Sequence, residues 1–126
     1  MATTELSQDY TERRSQEHTV AIIINHTSIN DASIKVCPHE LHVCKGDSVK
    51  WVCDENGTFT CEFPHCSPFR VKVIRGVKAS LPETVTAGPG KYHYLCSYTD
   101  SHSTMCIDPV IIVDPSIVNT SKKSGK

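Results

Sequence analysis

No stretch of this 126-residue chain approaches the roughly 18 consecutive apolar residues of a membrane-spanning helix; the longest apolar runs are Val20 to Ile24 and Val110 to Val113. Membrane insertion is therefore not expected. Charge of one sign is missing too: thirteen Lys and Arg interleave with fourteen Asp and Glu, for a formal net charge of -1. Without a single-sign field, neither nucleic acid nor an anionic membrane is an expected partner. The chain also has no Gly-x-Ser-x-Gly, no His-Glu-x-x-His and no phosphate-cradling glycine loop, so an enzyme is not expected. Met1 to Glu17 carries no hydrophobic signal core. Either the chain stays inside the cell or a leader is absent from the sequence given, so residence in the cytoplasm stays open as an alternative to export.

Helical periodicity of useful length is absent as well, which leaves short strands divided by Gly and Pro turns. The length suits one domain with a single core. His18 to Asn25 reads as a first strand, apolar enough in its middle to be buried on both sides, and Asn30-Asp31 as a turn. Short strands follow over Ser33 to Cys37 and Glu40 to Cys44, interrupted by Pro38. After a tight turn at Lys45-Gly46-Asp47, Val49, Trp51 and Cys53 alternate with Ser48, Lys50 and Val52, giving the one tryptophan a core role. Asn56-Gly57 is a hairpin-type signal before Thr58 to Phe63. Further strands are expected at Phe69 to Ile74, Leu81 to Thr86, Tyr92 to Cys96 and Cys106 to Asp114. The fold class is all-β: a Greek-key β-sandwich of seven or eight strands spanning 18–114, between disordered tails at 1–17 and 115–126.

What the chain has in plenty is soft-ligand chemistry, with seven cysteines and seven histidines. Gly90-Lys91-Tyr92-His93-Tyr94-Leu95-Cys96 reads as a strand in which Tyr92, Tyr94 and Cys96 share one face, so burial of the tyrosines turns the thiol inward. His102 and Met105 follow in a short loop. A thiolate, an imidazole and a thioether together suit copper. His18, His26 and His93 read as surface histidines. Cys37-Pro38-His39-Glu40-Leu41-His42-Val43-Cys44 holds two cysteines and two histidines, but its cysteine spacing is wider than that of common zinc sites. Cys61, His65 and Cys66 are a further cluster of possible zinc ligands. An odd cysteine count allows three disulfides with one thiol left over, and no pairing follows from sequence.

Three patterns in this order resemble the cupredoxins, the small blue-copper proteins such as plastocyanin and azurin. They are Lys45-Gly46-Asp47-Ser48-Val49-Lys50-Trp51, then Phe63-Pro64-His65, then Gly90 to Cys96 followed by His102 and Met105. The resemblance covers roughly Ile34 to Val113. It implies a cupredoxin sandwich binding one type 1 copper through His65, Cys96, His102 and Met105, with Met105 the weak axial ligand. It also implies electron transfer or copper handling with a redox or copper-transfer partner protein, a monomer, and a periplasmic or exported location. The chain departs from the family pattern in its five residues between Cys96 and His102, and in Cys66 where the family often has asparagine. Because pairing Cys96 would remove the thiolate, the same reading makes Cys96 the unpaired thiol under oxidising conditions. The alternatives are a metal-free, disulfide-stabilised sandwich acting as an interaction module or surface antigen, and a zinc-binding or redox-sensing domain.

Overall fold

The computed structural model describes residues 14–28 and 31–115. Eleven strands run in chain order: β1 (Glu17–Ser28), β2 (Asp31–Cys37), β3 (Glu40–Cys44), β4 (Ser48–Cys53), β5 (Thr58–Glu62), β6 (Val73–Val77), β7 (Glu83–Thr84), β8 (Gly90–His93), β9 (Leu95–Thr99), β10 (Thr104–Ile107) and β11 (Val110–Asp114). They form sheets in the orders β2-β1-β4-β7, β10-β9-β5-β6 and β3-β11-β8. Their inner faces meet in one apolar core, which bears out the all-β sandwich. Of the tails expected at 1–17 and 115–126, residues 1–13 and 116–126 lie outside the described residues, as does Asn30, and Glu17 belongs to β1.

The strand count among the described residues exceeds the expected seven or eight in part because two expected strands each divide between sheets. Gly90–His93 pairs with β11, whereas Leu95–Thr99 pairs with β5 and β10. Tyr94 is the crossing point, its amide donating to the Pro109 carbonyl at 3.1 Å. The closing segment divides likewise at Asp108-Pro109, between β10 and β11. The strand expected at Phe69 to Ile74 starts later, at Val73, because Ser67 and Phe69 belong to a local turn: the Ser67 hydroxyl accepts from the Phe69 amide and donates to the Val71 carbonyl. In β1, Val20, Ile22 and Ile24 are buried while Ala21 and Ile23 are half-buried. The strand thus has one core face, rather than the two that its apolar run suggested.

Trp51 is fully buried, as its alternation predicted. Its backbone amide donates to the Ser80 hydroxyl and its indole N–H to the Tyr94 hydroxyl, at 3.0 and 3.2 Å. Phe69 and Tyr94 meet its ring edge-on at 5.9 and 5.8 Å between centroids. The turn before β4 holds a residue whose role the sequence did not disclose. Asp47 is wholly buried. Its carboxylate accepts from the Gln16 and Cys44 amides, both at 3.0 Å, and lies 2.9 Å from Nε2 of His18. Gly46, at φ 96°, supplies the left-handed step that lets the chain turn there. His18 is therefore a structural partner, not the surface histidine expected. Opposite, His42 on β3 lies 3.0 Å from both Glu40 and Asp114, one carboxylate at each ring nitrogen, and so ties β3 to the end of β11.

Two outcomes test these anchors. Asp47→Ala leaves buried donors without an acceptor and should lower the unfolding free energy by about 3–5 kcal/mol in urea titration; a loss under about 1 kcal/mol would contradict the anchoring role. Both nitrogens of His42 can donate only in the imidazolium form, and hydrogen bonds to Glu40 and then Asp114 raise its pKa above the ordinary 6.5. The pair's stabilisation is then complete below the unfolded-state value of about 6.5 and is lost as pH rises through the folded-state value. Proton NMR titration of the His42 ring should give a midpoint above 6.5, falling when Glu40→Gln is introduced.

Candidate metal centre

Residues directly opposite each other in a ladder share a sheet face, so register decides which side chains can meet. β5 and β9 run antiparallel with Thr58 opposite Thr99, Phe59 opposite Tyr98, Cys61 opposite Cys96 and Glu62 opposite Leu95. Phe59, Cys61, Cys96 and Tyr98 are buried, which makes theirs the inner face. On the far side of β9, Ile107 lies opposite Cys96 and Met105 opposite Tyr98. Cys96 and Met105 accordingly share the inner face as diagonal neighbours, about 7–8 Å apart by strand geometry. Two of the four residues implied by the resemblance are thus brought to one surface.

The histidines are not. β5 enters the ladder at Thr58 and leaves it at Glu62, and His65 follows that exit in an exposed loop. β9 leaves at the opposite end, at Thr99, and His102 follows in the exposed turn that joins β9 to β10. The four residue steps between the two ends span about 14 Å, and the backbone leaves toward His65 at the end beside Cys61 and Cys96 and toward His102 at the other. The His102 turn is held by Asp100, whose carboxylate accepts from the amides of His102 and Ser103 at 2.8 and 2.9 Å. Those two amides hold its pKa below the ordinary carboxylate value. Among the described residues, no three of His, Cys, Asp and Glu are grouped to hold a metal ion. His65, Cys96 and His102 are therefore not gathered into such a group.

What faces Cys96 is Cys61. The two thiols are hydrogen-bonded, and that bond together with burial pushes the Cys61 pKa up. Cys53, buried on β4, is close enough to Cys96 to feel its charge, and its own pKa is raised mainly by burial. All seven cysteines are free thiols, with Cys37, Cys66 and Cys106 exposed and Cys44 half-buried. Cys61 had been grouped with His65 and Cys66 as a possible zinc ligand, yet it points into the core while those two lie outside. Its alternation with Phe59 and Phe63 was the available signal, since all three are fully buried. The loop from Asp54 to Gly57 closes over the Thr99 end of the ladder. There the Gly57 amide donates to the Tyr98 hydroxyl at 3.0 Å, and a Cβ on Gly57 would lie 2.5 Å from the Thr99 carbonyl oxygen.

No protein-family model matches the sequence, and no curated protein does. Solved structures do match. A pseudoazurin from Sinorhizobium meliloti aligns at TM-score 0.52 and 20% identity, over 88% of this chain and 83% of that one. A pseudoazurin from Hyphomicrobium denitrificans aligns at TM-score 0.48 and 18% identity, over 87% and 84%. Strand order, core and likeness to solved structures agree with the resemblance seen in the sequence: the chain has the cupredoxin fold.

Proposed function

We propose that this chain is a cupredoxin-fold binding module that works through an exposed sheet face, without a type 1 copper centre and without catalysis. The observation that supports this reading is the β5–β9 ladder, in which Cys96 stands opposite Cys61 and from which the backbone leaves toward His65 and His102 at opposite ends. A surface that could take a partner lies on the other side of the same sheet. Of the five large hydrophobic residues that stand exposed among the described residues, Val71, Val73, Val77 and Leu81 fall in one segment, and the fifth, Leu95, lies in line with Val73 across Glu62. Arg70, Lys72, Arg75 and Lys78 are interleaved with them, and no acidic residue occurs from Phe63 to Pro82. β6 is also an edge strand. Apolar patches rimmed by charge on monomeric proteins mark contact sites, and edge strands accept extended peptides. The fitting partner is an acidic, partly apolar protein segment, met by a monomer in an exported setting.

A second reading, electron transfer through copper to a redox partner, is favoured by the fold and by Cys96 and Met105 sharing the inner face. It requires two imidazoles to reach Cys96. Adding Cu(II) to the reduced chain separates the readings: the binding-module reading expects no intense visible charge-transfer band, and a strong blue band lost in Cys96→Ser would establish the copper reading instead. The surface is tested by titrating the isotope-labelled chain with a synthetic peptide of alternating Glu and Val. Amide shifts concentrated in Val73–Val77, weakened about tenfold by Arg75→Glu, are expected. Equal shifts with a Lys and Val peptide would remove the case for an acidic partner.

A further inference from the structure

The thiol pair has a consequence of its own, independent of which surface binds a partner. Cys61 and Cys96 stand directly opposite each other on antiparallel strands, so their Cα atoms are about 4.5–5.5 Å apart. That lies inside the range a disulfide accepts. Both side chains turn to the same buried face. Competing partners are poorly disposed. Cys106, the nearest cysteine in the adjoining ladder, pairs with Ser97 and is exposed on the outer face. Cys53 reaches Cys96 electrostatically from the other sheet, without taking the place opposite it.

We propose that Cys61 and Cys96 form a redox couple, a disulfide bridging the β5–β9 ladder when the chain folds in an oxidising setting and a buried dithiol when it folds in a reducing one. The oxidant is a low-molecular-weight disulfide, RSSR. The thiolate of one cysteine attacks RSSR, breaking its S–S bond, forming a mixed disulfide and releasing RS⁻. The second thiolate then attacks the protein sulfur of that mixed disulfide, forming the Cys61–Cys96 bond and releasing another RS⁻. The two thiol protons end on two RSH, and two electrons pass from the cysteines to RSSR.

Burial decides when this can happen. Both cysteines are fully enclosed, and exchange needs a thiolate in contact with its partner disulfide. The raised Cys61 pKa disfavours that thiolate in the folded state. The bond therefore forms while the ladder is open, and after folding the redox state is shielded from solution thiols and disulfides. A chain folded before oxidation and one folded during it become distinct, slowly interconverting species. The bridge also joins positions far apart in sequence, which restricts the unfolded chain.

The full chain refolded from denaturant in reduced and oxidised glutathione tests this, with acid quenching, alkylation and peptide mapping. The expected product links Cys61 to Cys96 and melts about 10 °C above the reduced form. Cys106→Ser should keep that increment, and the double variant Cys61→Ala with Cys96→Ala should lose it. If the double variant fails to fold, wild type refolded with and without excess dithiothreitol supplies the same comparison. Oxidised glutathione added to the folded, reduced chain should form the bridge at least about tenfold more slowly than during refolding. Cys96 joined to Cys53 or any other cysteine, or Cys61 and Cys96 both alkylated after oxidative refolding, would overturn the proposal. Equal rates in folded and refolding chains would overturn its burial gate.

Discussion

The register of β5 against β9 is the constraint on which the rest of the site depends. Placing Cys61 opposite Cys96 puts Phe59 and Tyr98 on the same inner face and Thr58, Thr60, Glu62 and Thr99 on the outer one. A slip of β5 by one residue would turn Phe59 and Cys61 outward and bury Thr58, Thr60 and Glu62, so a filled core defends this pairing. The same register sends the strands out at opposite ends, and with them His65 and His102. One alignment of two five-residue strands thus determines the thiol's neighbour, the ends from which the chain runs to His65 and His102, and the composition of the open face.

The frame that holds this register is polar as well as apolar. Asp47 collects the Gln16 and Cys44 amides and His18 beneath the start of β4, and the Val85 amide donates to its carbonyl at 2.8 Å. From that anchor β4 carries Trp51 into the centre, where Tyr94 accepts its indole N–H. Tyr94 is also where the chain leaves the β3-β11-β8 sheet for the β9 ladder. The residue that satisfies the tryptophan thus also aims the strand that delivers Cys96. Burial pushes the Tyr94 pKa up, so the phenol stays protonated and neutral in this contact.

Much of the fold was legible because alternation records burial. Val49, Trp51 and Cys53, like Tyr94 and Cys96, point inward as their period of two requires. The cupredoxin likeness was readable from three short motifs in order. The missed features are those that pairing decides. Nothing local in Gly90 to Cys96 tells that Tyr92 and Cys96 belong to different sheets. Nothing local distinguishes a His102 that turns back toward the thiol from one that leaves the ladder at the Thr99 end, away from it. Asp47 looked like one more turn residue, because its carboxylate serves donors as distant as Gln16 and His18. Cys61 was overlooked as a partner for Cys96 for the same reason, being adjacent to it only through the ladder.

The most direct measurement is X-ray absorption at the copper edge of the reduced chain equilibrated with one equivalent of copper. The account predicts that any bound copper lacks the combination of one thiolate with two imidazoles, since Cys96 faces Cys61 and the two histidines lie past opposite ends of the ladder. A spectrum requiring one sulfur and two imidazoles, and losing them in both Cys96→Ser and His102→Gln, would contradict it.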